Sequence, residues 1–234
     1  MNESWVNLGD AATSSRDYDA MMRDYYRRRA PEYEQTYARP ERQGDLAVLR
    51  AHVAKRFAGR RVLDVACGTG YWSLSIARAA ASLSGVDANE AALALARDKR
   101  LSTSAGEARF LEGDAYALDD SLGRFDAAFV GFFWSHVPRE RLARFIDGLH
   151  ARLVPGARVL ILDNDYVDGS STPIAFVDGD GNAWQERPLS DGTMHRVLKN
   201  FPRREDLMEH LARHAEFTHW WRLDYYWLYE YRLK

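Results

Sequence analysis

The chain has 234 residues, 46% of them hydrophobic, and a formal net charge of −2. That length suits one domain with decorations, the scattered charge argues against a basic stripe for nucleic acid and favours a small neutral partner, and no run of about 18 apolar residues is present to span a membrane. One cysteine excludes an internal disulfide framework, and the opening residues, with Glu3, Asp10, Arg16 and Asp17, form no apolar signal segment, so a cytoplasmic monomer or homodimer is expected.

Residues 1–15 carry no clear period and read as a loose start. Residues 17–38 read as helix broken near Pro31 and dominated by Tyr25, Tyr26, Tyr33 and Tyr37. Residues 41–57 form an amphipathic helix, because Leu46, Leu49, Val53 and Phe57 recur three or four apart. Val62-Leu63-Asp64-Val65 is a buried strand that meets an acid and runs into the loop Ala66-Cys67-Gly68-Thr69-Gly70. Further strands end at Asp87, at Asp114, after Phe125–Val130 and at Asp163, the last preceded by a Pro155-Gly156 turn. Helices are expected at 72–81, 89–100, 117–122 and 138–153, and this alternation predicts a parallel sheet with helices on both faces. Residues 165–200, rich in Gly, Asp and Ser, interrupt the pattern, with short strands at Ile174–Val177 and Trp184–Arg187 and a possible third over Gly192–Leu198. A helix over 203–214 and two aromatic-rich strands at 215–222 and 225–233 close the chain.

Without Cβ atoms, Gly68 and Gly70 allow a sharp turn and a close approach to a ligand. This predicts a nucleotide-type pocket at the carboxyl end of a parallel strand. The Gly-x-Gly loop fits a nicotinamide or flavin dehydrogenase about as well, although Ser73 stands where that fingerprint has its third glycine. The ordered set is more specific. Asp64 with the glycine loop, Asp87, Gly113-Asp114 and the Pro155-Gly156 turn resemble the class I S-adenosylmethionine-dependent methyltransferases over roughly residues 60–165, with Ala157 where that family often has a second glycine.

The resemblance implies an α/β fold: a Rossmann-like, seven-stranded, mostly parallel sheet with helices on both faces and an antiparallel C-terminal strand pair. It divides a single domain into an N-terminal helical lid (1–57), a cofactor-binding core (58–164), an insertion over the acceptor pocket (165–200) and a C-terminal helix with the strand pair (201–234). It implies S-adenosyl-L-methionine as cofactor. Asp64, Ala66, Cys67, Gly68 and Gly70 would hold the methionine end, Asp87 with Ala88 the ribose, and Asp114 with Ala115 the adenine; Phe132 would border the cofactor. Tyr26 and Tyr33 would close over it, since an aromatic face suits a sulfonium cation. Arg27, Arg28 and Arg29 read as a solvated face, and Cys67 as a small buried residue rather than a reactive thiol.

In this fold Gly131-Phe132-Phe133-Trp134-Ser135-His136 lies where the methyl group meets its acceptor. His136 is the candidate general base, with a structural imidazole as the alternative. Tyr25, Phe133, Trp134 and His195 are candidate acceptor contacts. Asp178-Gly179-Asp180-Gly181-Asn182 lacks the glycine and final glutamate of a calcium loop and reads as a turn, so no metal site is expected. The function implied is in-line methyl transfer to an O or N atom of a small aromatic or heteroaromatic metabolite. Gly-Phe-Phe-Trp after the fourth strand disfavours amino methylation of adenine or glutamine. A nicotinamide-dependent oxidoreductase and a non-catalytic cofactor-binding module remain as alternatives.

Overall fold

A computed structural model describes residues 15–234, so the loose start expected over 1–15 falls almost wholly outside the described residues. The elements in chain order are α1 (Ser15–Arg29), α2 (Gln43–Arg56), β1 (Arg61–Val65), α3 (Tyr71–Ala77), β2 (Ser82–Asp87), α4 (Glu90–Asp98), β3 (Arg109–Glu112), β4 (Phe125–Gly131), α5 (Leu142–His150), β5 (Leu153–Asn164), β6 (Phe176–Val177), β7 (Ala183–Pro188), β8 (Met194–Leu198), α6 (Arg204–Leu211), β9 (Ala215–Arg222) and β10 (Tyr226–Leu233). Short 3-10 turns join several of them, among them Ala30–Tyr37 after α1 and Trp134–His136 after β4.

Seven strands form one sheet in the order β9-β10-β5-β4-β1-β2-β3, with β10 antiparallel to both its neighbours and the remaining pairings parallel. Strands β1 and β4 are nearly continuous runs of buried residues because helices cover both faces. One core packs α5 and α6 against Leu63, Val65, Val130 and Ile161; the other packs α2, α3 and α4 against Val62, Phe129 and Leu160. Each such side chain contributes about 1.5–3 kcal/mol by leaving water. The Rossmann-like fold expected from the sequence is the fold found.

Differences are local. The 138–153 helix begins as a 3-10 turn at Arg139–Arg141 and is α-helical only from Leu142, and 117–122 yields only a 3-10 turn at Asp120–Leu122. Pro155-Gly156 is a bulge inside β5 rather than a turn before it: the register against β4 jumps from Phe125↔Leu153 to Ala127↔Arg158, and Gly156 takes φ 77°. A two-residue ribbon, Ser102–Thr103 with Gly106–Glu107, was not expected. The insertion is a small antiparallel sheet, β8-β7-β6, and its Trp184, Leu189, Val197 and Leu198 form a third core with Tyr18, Met22 and Tyr25 of α1. Helix α1 therefore packs on this small sheet. Among the described residues no helix is long and apolar enough to cross a membrane.

Candidate functional site

Strand β1 has β2 on one side and β4 on the other, so chain crossovers leave in opposite directions and open a crevice at the carboxyl ends. Two non-glycine residues there are left-handed, Ala66 after β1 (φ 56°) and Phe132 after β4 (φ 59°). Local strain of this kind persists where surrounding structure holds it, often at functional sites. Gly68 is also left-handed, and a Cβ built on it would meet no described atom within 4 Å, which leaves the loop's surface open to a ligand.

Asp87 closes β2. Its Oδ2 accepts the N–H of Gly68 at 2.8 Å and its Oδ1 the N–H of Asn89 at 2.9 Å, so one side chain ties the glycine loop to the start of α4. Burial raises its pKa and the backbone N–H groups oppose that shift. A carboxylate has about four acceptor positions, so capacity remains for two hydroxyls. Asp114 accepts the N–H of Tyr116 at 2.9 Å. Asp64 is 2% exposed and takes the hydroxyl of Ser73 at 2.6 Å; burial pushes it up to about 7.

A cavity of about 160 Å³ lies over these ends, between Asp87, Asn89 and Asp114 on the sheet side and Met22, Tyr26 and Tyr33 on the lid side. The donor set fits a nucleoside, and one atom calls for a partner. Asn89 caps α4 through Oδ1, which accepts from Ala91 and Ala92, while its buried Nδ2 has no hydrogen-bond partner among the described residues. A buried donor left so is costly, and a ligand acceptor in this cavity would relieve it. Asn89, two positions past Asp87, was not among the residues singled out from sequence.

The N-terminal segment is fastened at several points. Tyr18 donates to the carbonyl oxygen of His136, Tyr26 bonds its imidazole, and Arg141 meets Asp19 at 2.7 Å. Glu34 takes the hydroxyl of Thr69 at 2.6 Å and the ammonium of Lys99 at 2.5 Å, which also donates to the Thr69 carbonyl. The segment after α1 is thus latched onto the glycine loop.

His136 is 7% exposed. Its Nδ1 lies 2.5 Å from the carbonyl oxygen of Leu198, which can only accept, so Nδ1 carries the proton and Nε2 accepts from Tyr26 at 2.7 Å. Burial, with Lys199 and Arg187 nearby, holds its pKa well below the usual histidine range. Beneath it, Lys199 Nζ bonds Ser135 Oγ (2.6 Å), Asp163 (2.7 Å) and Asn164 (3.0 Å), a buried network that fixes the loop after β4; burial lowers this lysine to about 8.

A second cavity of about 600 Å³, in the range of small-molecule sites, opens beyond this point between the lid, the insertion and the ends of β5 and β10. Tyr26, Tyr33, Phe132 and His136 line both cavities and form the wall between them.

Of the residues singled out from sequence, Ala66, Gly68, Asp87, Ala88, Asp114 and Ala115 line the first cavity on the sheet side, joined by Phe133 near Tyr116. Six others line neither cavity. Asp64 is turned to Ser73 under the loop. Cys67 packs toward Gly85, where an added Cβ would stand 2.9 Å from its sulfur, and burial pushes its thiol up. Gly70 lets α4 approach, since a Cβ there would lie 3.1 Å from that of Ala96. Tyr25 is fully buried between α1 and the insertion, Trp134 is fully buried against Phe145, and His195 sits on the outer hairpin bonded to Thr193. Tyr25, Trp134 and His195, expected as acceptor contacts, thus stand here in packing and hairpin positions that border neither cavity. Asp178 accepts from Asp180, Asn182 and Trp184 within its own turn.

Residues 62–156 match a family model described as a methyltransferase domain. The ubiquinone/menaquinone biosynthesis C-methyltransferase UbiE of Methylobacterium nodulans is 35% identical over 111 residues, 46% of this chain and 43% of that protein. The ubiquinone biosynthesis O-methyltransferase of Azotobacter vinelandii is 35% identical over 105 residues, 44% of each. The chain thus spans less than half the length of the curated relatives it matches. Among solved structures, a DhpI–SAM–HEP complex superposes with a TM-score of 0.75 at 24% identity, covering 94% of this chain and 100% of that one. The magnesium protoporphyrin IX methyltransferase ChlM of Synechocystis with bound SAM gives 0.63 at 18%, covering 96% and 99%.

Proposed function

We propose, for a chain whose residues 62–156 match a methyltransferase-domain model and whose fold is that of the class I S-adenosylmethionine-dependent enzymes, that it transfers a methyl group to an O or N atom of a small metabolite seated in the second cavity. The observation that carries this reading is the shared wall: a nucleoside-suited cavity and a small-molecule cavity meet at Tyr26, Tyr33, Phe132 and His136, at the carboxyl ends of the strands.

Asp87 would hold the ribose hydroxyls, Asp114 the adenine amino group, and Asn89 Nδ2 a nucleoside acceptor; the backbone of Ala66 to Gly68 would floor the site. When bound, S-adenosylmethionine supplies an electrophilic methyl carbon on a cationic sulfur with a neutral thioether as leaving group. The chain's part is then placement, because orientation alone can supply several kcal/mol of a barrier. Tyr26 and Tyr33 offer aromatic faces to the cation, and the lid excludes water. His136, with both nitrogens engaged, serves to orient Tyr26 and the wall rather than to take a proton. The rings of Tyr33, Phe132 and Tyr226 suit a flat acceptor.

The test has two parts. Calorimetry should show S-adenosylhomocysteine binding to the chain and binding weakened by Asp87→Ala. Methyl-labelled S-adenosylmethionine should then transfer label to a member of a panel of small aromatic acids, phenols and amines. Binding without transfer across the panel would leave a cofactor-binding module; tight binding of a nicotinamide dinucleotide instead would restore the oxidoreductase.

A further inference from the structure

Four arginines reach the second cavity from three separate stretches of chain: Arg29 at the end of α1, Arg39 and Arg42 before α2, and Arg187 in β7. Among the described residues none of the four is ion-paired with a carboxylate. Other arginines of this chain do find acids: Arg27 and Arg28 share Asp24, Arg56 and Arg158 share Glu230, and Arg222 meets Asp165. The four cavity arginines have neutral partners instead. Arg29 donates to the Tyr25 hydroxyl, Arg39 to the Ser170 carbonyl at 2.8 Å, Arg42 to the Ser170 hydroxyl at 3.0 Å, and Arg187 to Gln185 Oε1 at 2.6 and 3.0 Å. Glu32 is the one carboxylate on the lining, and Asp163 behind it is committed to Lys199. Arg42 is only 6% exposed, stacked 5.3 Å from the ring centre of Tyr225, and its Nε has no partner. A guanidinium withdrawn from water without a counter-charge is expensive, and guanidinium donors match carboxylate and phosphate geometry.

The second observation concerns proton acceptors. An alcohol, phenol or ammonium acceptor would need its proton removed at the wall between the cavities. The wall's imidazole donates from Nδ1 to Leu198 and accepts Tyr26 at Nε2, so it has no free lone pair. Tyr26 and Tyr33 are phenols that burial keeps protonated.

We propose that the acceptor is a small organic oxyanion, a carboxylate or a phosphate or phosphonate, gripped by Arg29, Arg42 and Arg187, and that one of its anionic oxygens receives the methyl group to give an ester. This deepens the reading of the site as a methyltransferase and rests on it. An oxygen lone pair forms the new C–O bond as the C–S bond of the sulfonium donor breaks, with its electron pair passing to sulfur. One positive and one negative charge are lost together, and no proton moves. The near-neutral composition suggests a neutral acceptor, whereas the four arginines gathered on this cavity favour an anionic one.

The test uses calorimetry on the chain saturated with S-adenosylhomocysteine, titrated in turn with phenylphosphonate, benzoate and benzyl alcohol. At least one anion should bind tenfold or more tighter than the alcohol, and whichever anion leads identifies the oxyanion class. Arg187→Gln, at a half-buried position, should remain folded, weaken the leading anion at least tenfold and leave the alcohol unchanged. Equal affinity for anions and alcohol, or anion affinity within twofold of wild type in Arg187→Gln, would overturn the proposal. Failure of S-adenosylhomocysteine to bind would instead strike the first cavity, and the same anion titrations on the chain alone would still decide whether the second takes anions.

Discussion

Tyr26 donates its hydroxyl to Nε2 of His136 at 2.7 Å, a bond between residues 110 positions apart that joins the lid to the loop after β4. Because Nδ1 is spent on the Leu198 carbonyl, the imidazole has one tautomer available and both of its nitrogens are committed.

This bond separates a positioning role from a basic one. His136→Ala should cut turnover roughly 10²-fold, the scale expected when a reacting group is misplaced by about 1 Å, and the loss should persist from pH 6 to pH 9. Tyr26→Phe should show a smaller loss of the same pH-independent form. A pH profile of the alanine variant in which activity recovers at high pH would make His136 the general base after all.

Stability should also report on His136. Its folded pKa is depressed by burial, so on acidification the unfolded chain takes up a proton that the folded chain refuses. The resulting stability is present above the unfolded value near 6.5 and is lost as pH falls below it. Asp64, held up to about 7 by burial, and Asp87, also raised, act in the opposite direction, so the readout is the difference: melting temperature should drop more between pH 7 and pH 5 in wild type than in His136→Gln. His52, also lowered by burial, and His150, lowered to about 4, act in the same direction as His136, so the variant must be compared with wild type at each pH.

Asp87→Ala should weaken S-adenosylhomocysteine binding by about 1.5–3 kcal/mol, the cost of losing charge-assisted hydrogen bonds. It should lower the melting temperature too, since the N–H groups of Gly68 and Asn89 lose their acceptor. Asp87→Asn keeps one acceptor oxygen and should fall between. Unchanged affinity by calorimetry in both variants would place the ribose elsewhere.

Asp64 offers a proton count. Burial holds it up to about 7, so it is largely protonated below that pH in the free chain. If the methionine ammonium settles near it, the charged form is favoured and the proton leaves. Calorimetry at pH 6.5 in buffers of different ionisation enthalpy should show net proton release on binding S-adenosylhomocysteine. The release should fade above pH 8 and be absent in Asp64→Asn.

The lid should respond to ligand. Hydrogen exchange over residues 18–37 should slow with S-adenosylhomocysteine more than exchange over β9 and β10. Glu34→Gln, which weakens the latch to Lys99 and Thr69, should speed exchange over the same residues without ligand. Equal protection of lid and terminal strands would make α1 static scaffold.

The strands were legible because their signal is local. Val62–Val65 and Phe125–Val130 are mostly apolar runs, Asp87 ends its own strand, and Asp114 stands two residues past the end of another. Tyr26 and Tyr33, singled out in the sequence, line the first cavity, yet Tyr25, one position away and in ring contact with Tyr26, is buried in the cluster with Val197 and Leu198. The arginine-lined side of the second cavity was not legible. Arg29 and Arg187 stand 158 positions apart, and Arg29 sits beside Arg27 and Arg28, which do form a solvated pair of contacts with Asp24. Only the folding of the insertion against the lid brings Arg29 and Arg187 to one cavity.

In the proposed transfer, the shared wall would also govern how many methyl groups one encounter delivers. Tyr26 and Tyr33 border both cavities, and Arg39 and Arg42 bind the lid's exit to Ser170 of the insertion. Lifting the lid to exchange a spent nucleoside therefore unroofs the neighbouring chamber as well. An acceptor with two methylatable oxygens would be let go between rounds, so modification should be distributive, with the singly modified product accumulating in solution before any second round begins.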